Sequence, residues 1–326
     1  MKAIRIHENG GPEVLRYDDI PVPQAAAGQL LIRVNVVGVN YVDIYQRDGL
    51  YKLELPFIAG SEAAGVVEAV GPNVTGFAKG DRVAFGTHRG SYAEYIAAPA
   101  SLVVKIPDAV TFEQAAGAML QGMTAHYLTH STFPLTKEHT CLIHAAAGGA
   151  GGLIVQMAKI RGARVIGTTS TPAKAAVARE NGCDEVILYT QTDFAAEARR
   201  LTDGRGVDVV YDSVGASTWD KSIDSLRTRG MMVSFGNASG PVPAIAPGVL
   251  GAKGSLFLTR PSLFHYAAER SELEWRASDV LGWIAAGKLK VPIGTTYPMS
   301  EAKQSHIDLA SRKTTGKLLL IPSHQG

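Results

Sequence analysis

Cysteine is nearly missing from this chain: 326 residues contain only Cys141 and Cys183. Two thiols exclude a disulfide-stapled scaffold and a four-cysteine structural zinc site. Cys141 stands in an apolar strand pattern and reads as a small core residue. An excess of one charge sign is also missing. Lys and Arg total 32, Asp and Glu total 30, and the formal net charge is +2. A near-neutral chain without a dense basic stripe does not suit nucleic acid as its main partner. No stretch approaches the roughly 18 uninterrupted apolar residues of a membrane helix. The N-terminal MKAIRIHENGGPEVL is charged early and lacks an apolar signal core, so a cytoplasmic location is expected. Internal repeats and low-complexity tracts are absent, which removes solenoid architectures.

The length fits about two domains. The first 120 or so residues carry short strand patterns: KAIRIH, QLLIRVNVVGV, AAGVVEAVG, DRVAFG and SYAEYIA. Gly10-Gly11-Pro12, Gly71-Pro72 and Gly80-Asp81 punctuate them. The pattern changes near Thr111, where TFEQAAGAMLQGMTAHYLTH reads as a helix and Thr111 to Gln114 as a capping box. After Thr140, strand and helix patterns alternate: CLIHA, GGLIVQMAKIRG, ARVIGTT, TPAKAAVARENG, EVILY, DFAAEARRLTDG, VDVVYDSVG, STWDKSIDSLRTRG, MMVSFG, SLFLTR. Short apolar strands alternating with helices predict an α/β fold with a parallel sheet covered on both faces. Two helical stretches and the strand KLLLIP complete the tail and fit either domain.

The sharpest local signal is the turn Ala145-Ala146-Ala147-Gly148-Gly149-Ala150-Gly151, between an apolar strand and a helix. A dinucleotide pyrophosphate needs backbone N–H groups at a helix N-terminus with no side chains in the way. Gly148 allows that approach, and Gly151 allows close packing of helix on strand. The first glycine of the usual fingerprint falls at Ala146. The strand–turn–helix context selects a cofactor site over a purely structural turn. The next strand ends at Gly167-Thr168-Thr169-Ser170-Thr171 with no acid, and Lys174 follows. An NAD site usually carries Asp or Glu here; its absence beside a cation favours the extra phosphate of NADP. Among the nine histidines, His126 and His130 lie one helical turn apart. They have no Cys or Glu ligand nearby, so no metal is expected.

Seven ordered segments are similar to one family: GGPEVL (10–15), GVNYVDIYQRDGLY (38–51), GSEAAGVVEAVG (60–71), HAAAGGAGG (144–152), YDSVG (211–215), MVSFGNASG (232–240) and GSLFLTRPSL (254–263). Over nearly its whole length the chain resembles the zeta-crystallin-like quinone oxidoreductases of the medium-chain dehydrogenase/reductase superfamily, above all the bacterial NADPH:quinone reductases. The resemblance implies a GroES-like β-rich domain over 1–122 completed by 264–326, and a Rossmann doubly wound domain over 123–263. It also implies a homodimer, with SLFLTR as a strand that can pair across it. In zinc-dependent relatives, metal ligands occupy the positions of Asn40, Ser61 and Gln121; none of these three is a ligand type used there. Gly152 departs from the family, which has a larger apolar residue; the extra glycine costs the helix roughly 1 kcal/mol.

Carried over residue by residue, the resemblance implies that Asn40, Tyr45 and Tyr51 are the catalytic residues lining the substrate and nicotinamide cleft. Thr124 becomes a nicotinamide-side contact. Lys174, Tyr189 and Arg312 become the trio that holds the adenosine phosphate of NADPH. Ala147, Gly148, Gly149, Ala150, Gly151, Thr168 and Ser170 complete the phosphate side. Ser213, Phe235, Gly236, Asn237, Phe257 and Thr259 fall near strand ends, where ligands bind in such sheets. The implied chemistry is hydride transfer from NADPH to a quinone, an acceptor that needs no Lewis acid. Tyrosine faces would stack on it, and Asn40 would donate to the developing oxyanion. Asp43 and Tyr45 are candidate general acids, with water as the other proton source. Two alternatives remain: an NADPH-dependent enone or enoyl reductase, and a non-enzymatic crystallin-like or RNA-binding protein.

Overall fold

Alternating apolar residues make Gln29–Gly38 a ten-residue strand that buries Leu30, Ile32 and Val34. It is central to one of two units described in the computed structural model, which covers residues 1–311 and 314–323. That unit consists of Met1–Met123 and the tail from Tyr266; the other is Thr124–His265.

The first unit is β-rich. Its seven-stranded sheet runs Ile293–Pro298, Lys317–Ile321, Gln29–Gly38, Ala63–Val70, Arg82–Phe85 and Val104–Lys105, with Tyr95–Pro99 also paired to Gln29–Gly38. A three-stranded sheet orders Leu15–Asp19, Lys2–Ile6 and Phe57–Ile58. The tail therefore joins this unit: Leu319 pairs with Gly38 and Leu320 with Val37, antiparallel. Gly38 is required there, because a Cβ would stand 2.2 Å from the Ala116 carbonyl oxygen. The expected capping box is present at the start of the helix Phe112–Tyr127. Thr111 N–H donates to Gln114 Oε1 at 2.9 Å, and Gln114 N–H donates to Thr111 Oγ1 at 3.2 Å.

A short helix, Tyr41–Arg47, interrupts the strands; no helix was expected among them. Its signal was Asn40 followed three residues later by Asp43, whose Oδ2 accepts from the Asn40 backbone N–H at 2.8 Å. A buried chain of hydrogen bonds ties this helix to the tail helix Ala302–Ser311. Arg47 Nη1 lies 3.2 Å from His306 Nδ1, and His306 Nε2 lies 3.1 Å from the Tyr92 hydroxyl. A guanidinium only donates, so Nδ1 accepts and Nε2 carries the proton. Tyr92 then donates to Asp43 Oδ2 at 3.0 Å. Burial, helped by the Arg47 charge, pushes the imidazole down to about 3. Burial pushes the Asp43 carboxyl up to about 7, although it accepts from Asn40 and Tyr92.

The second unit has a six-stranded parallel sheet in the order Glu185–Leu188, Arg164–Thr169, Thr140–Ile143, Val207–Asp212, Leu226–Ser234, Phe257–Thr259. The chain winds outward from Thr140–Ile143 in one direction, returns, and winds outward in the other. That is the doubly wound topology, with its switch point between Thr140–Ile143 and Val207–Asp212. The helices Phe194–Arg200 and Trp219–Ser225 pack Phe194, Ala198, Trp219 and Ile223 onto Leu142, Ile166, Ile187 and Val210. The second of these helices is shorter than its sequence pattern. It stops at Ser225 because Leu226 turns extended, is fully buried and pairs with Val207. Arg227 Nε then anchors the new strand on Asp208 Oδ1 at 2.6 Å. Among the described residues, no helix is long and apolar enough to cross a membrane.

The relay in the first unit has a pH signature. An imidazole depressed from about 6.5 when unfolded to about 3 when folded makes stability fall as pH drops between those values. A carboxyl raised from about 3.8 to about 7 makes stability rise as pH drops from about 7. The two slopes oppose each other in the parent. Asp43→Asn should therefore lose Tm more steeply than the parent on acidification from about pH 6.5 to 4. His306→Gln should lose it less steeply, or gain. Thermal melts across that range check both signs; parallel curves for all three proteins would refute the coupling.

Candidate active site

Four polar side chains converge inside the first unit. Asn40 precedes the short helix, Glu62 precedes the strand Ala63–Val70, Gln121 lies on the helix Phe112–Tyr127, and Lys317 opens the tail strand. Lys317 Nζ donates to Glu62 Oε2 at 2.6 Å and to Asn40 Oδ1 at 2.7 Å. Glu62 Oε2 also accepts from Asn40 Nδ2 at 2.8 Å, while Glu62 Oε1 accepts from the Leu120 N–H at 2.6 Å. Gln121 Nε2 donates to Asn40 Oδ1 at 3.2 Å. Lys317 and Glu62 are 2% and 0% exposed, so this is a fully buried ion pair.

This geometry corrects the expected role of Asn40. Its Nδ2 already donates to Glu62 and to the Gly38 carbonyl at 3.2 Å, and its side-chain oxygen takes two donors. At 2% exposure it has no hydrogen left for a substrate oxyanion. The same geometry answers the metal question. A zinc ligand at position 40 would need a lone pair, and here a lysine ammonium sits 2.7 Å from the amide oxygen. Ser61, at the second ligand position, is buried with Oγ lacking a hydrogen-bond partner among the described residues. These residues do not fit zinc. No group of three or more potential metal ligands occurs among the described residues.

Tyr45 and Tyr51 lie edge to face with ring centroids 5.4 Å apart. Tyr51 presents the open ring at 39% exposure, whereas Tyr45 is 9% exposed. Asp43 is enclosed by its relay and has no solvent face from which to act as a general acid.

In the second unit, the glycine turn opens the helix Gly149–Ile160. Gly148 is its N-cap without any side-chain cap, and no acidic residue stands in the first turn. Ala147 is buried behind the turn, while Gly148, Gly149 and Ala150 are partly exposed. Gly151 is obligatory, because a Cβ would stand 2.1 Å from the Ala145 carbonyl oxygen. First-turn N–H groups at such a terminus lack intrahelical partners and attract anions. At Gly152 a Cβ would meet only the movable end of the Asn181 side chain, Nδ2, at 2.8 Å, so glycine is not required there.

Ser170 and Tyr189 directly follow adjacent strands, with Thr190 Oγ1 donating to the Ser170 carbonyl at 3.0 Å. Lys174 lies in the first turn of the helix Pro172–Glu180, capped by Thr171 Oγ1. Thr168 is a correction. It is buried, and its hydroxyl is bonded to His144 Nδ1 at 2.8 Å, so its side chain faces inward. Ser213, Phe235, Gly236 and Asn237 do meet at the carboxyl ends of two strands. The Phe235 N–H donates to the Asp212 carbonyl at 2.8 Å and the Ala238 N–H to the Ser213 carbonyl at 3.2 Å. Asn237, oriented to satisfy both ends of its amide, accepts from Arg260 Nη2 at 3.1 Å. Thr259 pairs with Val233, level with Tyr211 and Ile143 at the rim. Phe257 is a second correction. It pairs with Met231, level with Cys141, about 7 Å back from the rim. Thr124 is buried on the linking helix, and Arg312 lies outside the described residues.

Sequence reasoning missed the buried support of this rim. His144 Nε2 bonds Ser222 Oγ at 2.8 Å, and Ser222 and Thr218 both donate to Asp212 Oδ2, at 2.9 and 2.7 Å. Asp212 Oδ1 accepts the N–H groups of Val214 and Gly215. Burial lowers the His144 pKa against the opposing pull of Asp212, so the ring is neutral and structural. Lys317 was missed because 255 residues separate it from Glu62.

Residues 26–108 match the alcohol dehydrogenase GroES-like domain, and residues 149–275 match the family described as zinc-binding dehydrogenase. A quinone oxidoreductase of Pseudomonas aeruginosa is 44% identical over 98% of this chain and 99% of its own length. A 2-haloacrylate reductase of Burkholderia is 42% identical over 99% of each chain. The crystal structure of an Escherichia coli quinone oxidoreductase complexed with NADPH matches 99% of this chain and 100% of that one, at 40% identity and a TM-score of 0.97. The chain belongs to the quinone oxidoreductase family of the medium-chain dehydrogenase/reductase superfamily, and its two units are the GroES-like and Rossmann domains of that family.

Proposed function

We propose that this chain is a zinc-independent, NADPH-dependent quinone reductase. One observation carries the reading: an uncapped helix N-terminus over Gly148–Gly151, followed by a strand that ends at Thr169 without a carboxylate and by Lys174 in the first turn of the next helix. The relatives named as quinone oxidoreductases, one of them solved with NADPH, support it. When bound, NADPH supplies a hydride. The N–H groups of Gly149, Ala150 and Gly151 would hold its pyrophosphate. Ser170, Lys174 and Tyr189, with Arg312, would hold the adenosine phosphate. Ser213, Phe235, Gly236, Asn237 and Thr259 would line the remaining rim, with Thr124 on the nicotinamide side. Tyr51, braced by Tyr45, offers a ring face on which a flat quinone can stack. The two buried, unpaired thiols suit a reducing cytoplasm.

A homodimer forms part of the same reading. The strand Phe257–Thr259 ends its sheet, with Phe257 58% and Leu258 38% exposed. An apolar edge strand of this kind invites pairing with a second copy.

Purified protein should oxidise NADPH with 1,4-benzoquinone and retain that activity in the presence of a chelator. Turnover of 2-chloroacrylate with none of benzoquinone would instead favour the chemistry in the name of the Burkholderia relative. Lys174→Ala should raise the Kd for NADPH about tenfold, or ~1.4 kcal/mol, and leave NADH unchanged. Equal weakening of both cofactors, read by fluorescence titration, would remove the phosphate role. Leu258→Lys should shift the sedimentation coefficient from dimer toward monomer; a parent that already sediments as a monomer would reject the interface.

A further inference from the structure

We propose that Gln121 is the residue of the first unit that donates a hydrogen bond to the carbonyl oxygen of the acceptor. This rests on the quinone-reductase reading and names the group that serves it. The four side chains of the cluster differ in exposure. Asn40, Glu62 and Lys317 are 2%, 0% and 2% exposed, while Gln121 is only partly buried.

The amide of Gln121 has one possible orientation. Lys317 can only donate, so the atom of Asn40 that faces it must be the oxygen. The Gly38 carbonyl and the Glu62 carboxylate independently require the nitrogen of Asn40 on their side. The group that Gln121 turns toward the Asn40 oxygen must therefore be Nε2. One Nε2 hydrogen is used there, and the second has no partner among the described residues. Glu62 Oε1, bonded to the Leu120 N–H, fixes the helix one residue before Gln121. Asn40 is also the N-cap residue of the helix that carries Tyr45. A single amide therefore anchors both the donor and the aromatic pair.

The acceptor takes up a hydride from NADPH, which becomes NADP⁺, and then a proton from water. Between these events it is a hydroquinone monoanion with its charge on oxygen. A preoriented N–H donor stabilises that charge more than the neutral quinone, which is the condition for acceleration.

The test uses the full-length enzyme with NADPH and 1,4-benzoquinone. Gln121→Leu leaves the Lys317–Glu62–Asn40 contacts in place. It should lower kcat on the order of tenfold or more while the fluorescence-titrated Kd for NADPH stays within about twofold. Gln121→Glu supplies a readout that a packing role would not move. Its carboxyl donates only when protonated, so its activity relative to the parent should rise as pH falls from about 8 toward about 5. A Gln121→Leu enzyme with kcat and KM within about twofold of the parent, or a pH-independent Gln121→Glu ratio, overturns the assignment alone. A parent that reduces no quinone overturns the underlying reading as well.

Discussion

The buried ion pair between Lys317 and Glu62 is the constraint on which the first domain depends. Removing two charges from water costs several kcal/mol per ion, and only close, fully hydrogen-bonded partners offset it. Here Glu62 receives the ammonium, an amide N–H and a backbone N–H on its two oxygens. The ammonium takes the Asn40 oxygen as a second acceptor. Three chain segments and the tail are thus held by one charge centre. Because the tail strand brings the cation, the domain is incomplete without residues that lie beyond the Rossmann segment.

The same pair sets the chemical character of the site. A metal-dependent relative would place a cation here, bound by lone pairs. This chain places a covalently tethered cation in that region and uses the amide at position 40 to bind it. Positive charge is retained without an open coordination position. A nearby relay from Arg47 through His306 and Tyr92 to Asp43 links a second cation to a second carboxylate. It closes Asp43 to solvent.

The Rossmann domain solves a different problem, which is to keep backbone donors unspent. Gly148 and Gly151 clear the helix terminus, and the Asp212 cluster draws the neighbouring loops into place through backbone N–H groups. Thr218 and Ser222 donate to that carboxylate from below, and His144 is bonded in turn to Ser222. The hydroxyls of this network are spent on the Asp212 carboxylate.

Patterns of short range were legible in the sequence: the period-two strands, the alternation that makes a parallel sheet, the Thr111–Gln114 cap and the glycine turn. Each depends on neighbours within a few residues, where spacing and geometry are the same thing. The missing acid after the second strand was visible for the same reason, whereas the replaced ligand positions Asn40, Ser61 and Gln121 were visible only through the family resemblance. What a side chain spends its hydrogen bonds on was not visible. Asn40 looked like a donor to substrate, and Thr168 like a cofactor contact, until Lys317 and His144 stood beside them. Phe257 looked like a rim residue until strand register put it two positions back. Architecture and the glycine turn were readable from the residues alone, because local sterics and hydrophobic period specify them. Only the tertiary structure decided which polar atoms remain free, because that depends on partners up to 277 residues away.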